Sequence, residues 1–317
     1  MSTPSPPSQD IHFRQVSKSF GDIHAVKNIS LRIPHGQLYG FLGPNGAGKT
    51  TCLRMLLSII LPDSGEITLF GGATAWDLRD EIGYLPEERG LYKRMKVLEH
   101  LKFLAELKGK TAKEAEPRIM KWLETLDLAD RCQDKVMDLS KGNQQKIQFI
   151  GALAHDPKLL VLDEVFSGLD PINAQQIRAL LMQLKEEGKT IIFSTHIMEH
   201  AEQICDGICL VHKGQCVLEG PLDDLKRHHG NNRIRIEHIG DIAFLKEKPY
   251  TASLRSRGNE SELRIHDGHE PEEVIKDLLE ANIKLRTFQL ANPSLNELFM
   301  EMVEHPSEAS MQEVTNA

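Results

Sequence analysis

The chain reads as an α/β fold with a small α+β unit appended, and three observations carry that reading. A short apolar run, Leu38–Leu42, breaks into glycines and then into a helix-forming stretch, Thr50–Ile60. Leu159–Leu162 is continuously apolar, as a parallel-sheet strand must be when both its faces are buried. Past Pro221 the texture turns polar, and strand-like and helix-like segments resume from Arg233.

Taken in order, Met1–Asp10 is Ser/Pro-rich and has neither the basic start nor the apolar core of a signal peptide, so it is expected to be a flexible lead-in. Ile11–Ile33 alternates apolar and polar residues around Gly21-Asp22, which predicts an antiparallel β subdomain with one buried face. Gly65–Leu69 reads as a further strand, and Ile82–Leu85 as a buried strand stopped by Pro86. Apolar residues recur at helical spacing over 95–155 (Val97, Leu98, Leu101, Leu104; then Ile119, Trp122, Leu123, Leu126), which predicts a helical subdomain at about 93–155. Strands follow at Leu159–Leu162, Thr190–Ser194, Gly207–His212 and Gln215–Leu218, the last two joined by the turn Lys213-Gly214. The first domain is therefore placed at 11–222 and a polar linker at 223–232. The second unit, 233–304, reads as strands at Arg233–Ile239, Glu262–Ile265 and Ile283–Leu290 with helices over Pro271–Ala281 and Ser294–Val303. The tail 305–317 is polar and expected to be disordered.

The chemistry begins at Gly43-Pro44-Asn45-Gly46-Ala47-Gly48-Lys49-Thr50-Thr51. Glycines let successive backbone N–H groups turn inward around an anion, and the helix that follows points its positive dipole end at the same place. Lys49 can neutralise β- and γ-phosphate oxygens, the Thr50 hydroxyl is placed for Mg²⁺, and Thr51 adds a donor. A glycine turn without ligand is the bland alternative; the strand before it and the helix after it are the context a phosphate cradle requires. Asp163 and Glu164 end the apolar strand Leu159–Leu162, at the carboxyl edge where open α/β sheets place ligands. Asp163 can hold Mg²⁺ beside Thr50, Glu164 can polarise a water, and His196, at the end of the next strand, can contact a γ-phosphate. Alone, each would more readily be a solvated strand end or a surface imidazole. Phe20, just before a turn, offers a ring to stack on a flat base with Val26 flanking it, or is an ordinary core phenylalanine.

Composition narrows the classes. A chain of 317 residues, 26% charged and 40% hydrophobic, is ordinary for a globular protein, and its net charge of −8 argues against nucleic acid as partner. The longest apolar stretch, around Leu53–Leu61, is interrupted by Arg54 and falls far short of the ~20 residues that span a bilayer. Five cysteines, with no second pair at zinc-site spacing beside Cys205-x-x-x-Cys209, read as reduced thiols.

In their order along the chain these motifs resemble one family, the ATP-binding subunits of ABC transporters, and the resemblance covers residues 11–220. Leu139-Ser140-Lys141-Gly142-Asn143 is similar to its signature loop, Asp163-Glu164 to its magnesium aspartate and catalytic glutamate, and Ser167-Gly168-Leu169-Asp170 to its dimer-contact loop. His196 stands where the family has its switch histidine and Phe20 where an aromatic stacks on adenine. The resemblance implies a P-loop NTPase (ABC ATPase) fold and ATP with Mg²⁺ as ligands. It also implies two copies facing head to tail, so that Ser140 and Gly142 of one cover the nucleotide of the other, working on the cytoplasmic face of the membrane with a separately encoded permease. Lys141 and Asn143 replace the family's usual Gly and Gln, and Glu87 stands where a magnesium-contacting glutamine is common. Residues 233–303 resemble, more weakly, the appendage of ATPase subunits that serve separately encoded exporters, which implies a dimerisation or regulatory module, or a spacer. The competing class is an ABC-type ATPase without a membrane partner, such as one serving cluster assembly.

Overall fold

The computed structural model describes residues 9–88, 90–230, 233–266 and 268–304. The readings for 1–8, for 305–317 and for the linker residues 231–232 lie outside the described residues.

The chain divides into two compact units between Gly220 and Pro221. In the first, β1 (Ile11–Phe20) and β2 (Ile23–Ile33) pair antiparallel. Next come β3 (Leu38–Leu42), α1 (Lys49–Leu56) and β4 (Ser64–Thr68), and β4 joins β1 on its other side to complete a three-stranded sheet in the order β2-β1-β4. The alternation in the sequence has its cause here: Ile11, Phe13, Leu31 and Ile33 are buried and pack with Phe41 and Leu53 in one core.

Then follow β5 (Ile82–Leu85), α2 (Val97–Glu106), α3 (Ala112–Thr125), α4 (Lys141–Leu153), β6 (Leu159–Leu162), α5 (Pro171–Glu186), β7 (Thr190–Thr195), α6 (Met198–Ile204), β8 (Gly207–His212) and β9 (Gln215–Pro221). A six-stranded sheet runs β5-β6-β7-β3-β8-β9, with β5, β6, β7, β3 and β8 parallel. All four residues of β6 are fully buried, which explains its unbroken apolar run. Helix starts follow local chemistry. Thr111 and Glu114 form a capping box on α3, and Asp170 caps α5 with Pro171 at its first position.

The expected linker is instead a helix, α7 (Leu222–Gly230). Its first turn carries Asp223 and Asp224, which suit the positive end of the helix dipole, and Arg227 bonds Asp224 at 2.5 Å. A polar composition with one buried anchor, Leu222, hid it from an apolar-periodicity search.

The second unit contains β10 (Arg233–Ile239), β11 (Thr251–Arg257), β12 (Glu260–Ile265), α8 (Pro271–Glu280), β13 (Lys284–Leu290) and α9 (Leu295–Glu304). Its antiparallel sheet runs β11-β12-β10-β13. Ile234, Ile236, Leu263 and Ile265 form a core with Val274 and Leu278 of α8. β11 escaped the sequence reading because its only large apolar residue is Leu254.

Candidate nucleotide site

Three parallel strands deliver their chemistry to one edge of the six-stranded sheet. β3 ends at Leu42 and runs into the glycine loop, β6 ends at Leu162 and delivers Asp163 and Glu164, and β7 ends at Thr195 and delivers His196. Because β7 lies between β6 and β3 in the sheet, these termini are neighbours.

The loop requires glycine at two positions for reasons of space as well as conformation. At Gly43, with φ +143°, a Cβ would stand 2.1 Å from the Val211 carbonyl oxygen; at Gly48, with φ +112°, it would stand 2.4 Å from that of Ala25. Gly214 N donates to Ala47 O at 2.9 Å, so the β8–β9 turn braces the loop from outside. Lys49, 5% exposed, begins α1; its ammonium donates to Gly43 O at 2.7 Å and Pro44 O at 3.1 Å and lies 3.4 Å from Glu164 Oε1.

Asp163 is fully buried, and its Oδ1 accepts from Thr50 Oγ1 at 3.1 Å and from Ser194 Oγ at 2.5 Å. Ser194 Oγ in turn accepts from Glu164 N at 3.0 Å. Glu164, 7% exposed, sits at φ +51°, a backbone conformation that costs of order 1–3 kcal/mol for a non-glycine residue. His196 Nδ1 lies 2.9 Å from Glu164 Oε2. An ionised carboxylate only accepts, so Nδ1 carries the proton in this contact.

A cleft of about 650 Å³ opens on this edge, lined by Asn45 through Thr51, Glu87, Glu164, Lys213 and Gly214, with Ile23 and Ala25 on the β2 side. Gln148 fixes the segment that brings Glu87 there, its Nε2 donating to Pro86 O at 3.0 Å and Glu88 O at 3.2 Å. Val26 does not flank the cleft: it is 1% exposed and packs in the core, because alternation along β2 turns its neighbour Ala25 outward instead. Phe20 is exposed at the end of β1, with the Lys18 ammonium 5.7 Å from its ring centre, and does not line the cleft.

Ser140, Gly142 and Asp170 also stand away from this cleft. Ser140 caps α4, its Oγ accepting from Asn143 N at 3.2 Å, and Asp170 caps α5, accepting from Asn173 N at 2.9 Å. The two helix starts adjoin, since a Cβ on Gly142 would be 3.6 Å from Asn173 Nδ2. Sequence reading missed Ser194, whose signal was a hydroxyl after the buried run Ile191-Ile192-Phe193, and it missed Lys213, whose turn was noted only as a turn.

A parallel sheet whose first loop holds a lysine over a helix N-terminus, with an aspartate and a glutamate at the neighbouring strand end, defines a P-loop nucleoside triphosphatase. Comparison with known proteins narrows this. The ABC transporter family profile matches residues 26–167, and that of the ATP-binding protein DrrA1-3-like C-terminal domain matches 220–303. The uncharacterized ABC transporter ATP-binding protein YhaQ of Bacillus subtilis is 42% identical over 91% of this chain and 96% of its own length. The linearmycin resistance ATP-binding protein LnrL of the same organism is 32% identical over 90% and 96%. A dimeric ATP-binding cassette in a post-hydrolysis state with ADP and Pi superposes with TM-score 0.60 at 26% identity, over 67% of this chain and 98% of that one. The chain belongs to the ABC transporter ATP-binding protein family.

Proposed function

We propose that this chain is the ATP-hydrolysing subunit of an exporter, coupling ATP-driven closure of a head-to-tail dimer to a separately encoded membrane permease from the cytoplasmic face. The observation that carries the reading is the linkage of Lys49, Thr50, Asp163, Glu164 and His196 by hydrogen bonds through Ser194 and by the Lys49–Glu164 ion pair, with Lys49, Thr50 and Glu164 lining the cleft. The resistance named for one relative supports export, and the dimer seen for another cassette supports pairing. Among the described residues no helix is long and apolar enough to cross a membrane, so the reading assigns the pore to a partner.

In this account the ATP phosphates replace the loop carbonyls as partners of Lys49, and the N–H groups of Asn45 through Thr51 cradle them. Glu164 accepts the proton of the attacking water, and His196 holds the carboxylate through Nδ1 while its Nε2 side faces the γ-phosphate. The φ of Glu164 aims its side chain, which is a reason for a strained residue to persist there. Mg²⁺ fits the donor set: Asp163 Oδ2 is buried and has no hydrogen-bond partner among the described residues, with Thr50 and Glu87 as further oxygen ligands. That ion, when bound, neutralises phosphate charge. Ser140 and Gly142 from a second copy complete the site, which accounts for their place outside the cleft of their own chain.

The test is Glu164→Gln. Nucleotide binding is expected to persist while hydrolysis falls by about 10²–10⁴-fold, the size of a positioned base. Turnover near that of the native chain would remove the assignment.

A further inference from the structure

The sheet of the second unit is covered on one face by α8 and only partly covered on the other. The buried residues Leu295 and Leu298 anchor α9, whose Glu297 and Glu301 pair with Arg233; Arg264 also pairs with Glu301. The rest of that face lines an open concavity of about 520 Å³. Strand register puts Arg257 beside Glu260 and Glu260 beside Glu237 in one row, and Arg255 beside Glu262 and Glu262 beside Arg235 in the next. Glu262 shares Arg233 with Glu297 and Glu301, and Glu237 pairs with Arg286, whereas Arg255, Arg257 and Glu260 have no ion pair among the described residues.

Such a pattern is neither basic nor acidic, which disfavours a simple anion or cation as occupant. It is self-complementary. A two-fold axis running between β11 and β12, parallel to the strands and lying above the sheet, sets Arg257 of one copy over Glu260 of the other and Arg255 over Glu262. Both pairs then recur by symmetry, as an isologous contact requires. Face-to-face sheets pack about 10 Å apart, within reach of arginine and glutamate extending from both sides. We infer that this half-covered face of the second unit docks on the same face of a second copy of this chain.

Exposed ion pairs are individually weak, and such a contact would not hold two free chains together. This inference rests on the proposed ATP-dependent pairing of the first units, which raises the effective concentration of the second units to roughly the millimolar range. The contact then tightens the closed dimer and slows its reopening.

Charge exchange tests it in the full chain carrying Glu164→Gln, by sedimentation with ATP and Mg²⁺ at low ionic strength. Arg257→Glu and Glu260→Arg are each expected to weaken dimerisation by at least about tenfold, since each places like charges over one another twice. An equimolar mixture is expected to recover near-parental affinity, because every cross-copy pair is then opposite in sign. Unchanged affinity in either variant, or no recovery in the mixture while both keep the parent's melting temperature, overturns the inference. A parent that stays monomeric with ATP overturns the nucleotide-sandwich reading and this inference together; a parent that dimerises beside indifferent variants overturns the inference alone.

Discussion

Ser194 ties two carboxylate-bearing residues together with a single hydroxyl, donating to Asp163 and accepting from the Glu164 backbone. Its removal leaves the Glu164 N–H buried without a partner and Asp163 Oδ1 with Thr50 alone. Ser194→Ala is therefore expected to lower stability by about 1–3 kcal/mol in urea denaturation. It is also expected to reduce ATP turnover more than ATP affinity, because what it orients is the Glu164 peptide rather than the loop. A variant as stable and active as the parent would show that the hydroxyl positions nothing. Lys49→Ala makes the opposite separation, a loss of affinity in titration with a fluorescent ATP analogue; unchanged affinity would count against its assignment to the phosphates. At this scale the sequence was legible wherever chemistry demanded a residue type. Gly43 and Gly48 are held to glycine by the Val211 and Ala25 carbonyls, a crowding that shows in the sequence only as the glycines themselves. The Val26 reading failed because the side chain facing the cleft depends on the pleat phase of β2, which a one-position error inverts.

At the scale of elements, the helical segment buries two histidines, one of which reaches the sheet. His100 of α2 is fully buried with neither ring nitrogen bonded among the described residues, and burial pushes it down to about 4. His155, just past α4, is also pushed to about 4, by burial first and then by the charge of Lys108, although its Nε2 reaches Ile82 O at 3.1 Å. Unfolded histidine titrates near 6.5. Between those values the unfolded state binds more protons, so this contribution is complete above about pH 6.5 and is lost as pH falls toward 4. From pH 7 to 5 the loss is on the order of 2 kcal/mol per histidine. Thermal melts across that window are expected to show a steep fall that His100→Leu reduces by about half, His155 supplying the rest; a flat profile in the native chain would contradict the burial argument. Elements with an apolar run or period, such as β6 and α3, were readable, and those marked by other signals were not. α7 is a charged helix read as a linker, and β11 is an arginine- and serine-bearing edge strand with one large apolar side chain to reveal it.

At the scale of the whole molecule, the proposed nucleotide site is divided between two copies. Lys49 and Glu164 line one cleft, and Ser140 and Gly142, which open α4, do not line it. No intrachain spacing or periodicity suggests that division; only the order of the motifs, through the family resemblance, does. The direct measurement uses ATP carrying a photoreactive group on its γ-phosphate, with a light Glu164→Gln chain and an isotopically heavy Lys49→Ala chain. Alone, the heavy chain is expected to take no label. Mixed with the light chain, it is expected to be labelled at residues 139–143 by nucleotide held on its partner. Label confined to the light chain, in preparations where mixed dimers have been verified, would contradict the shared site.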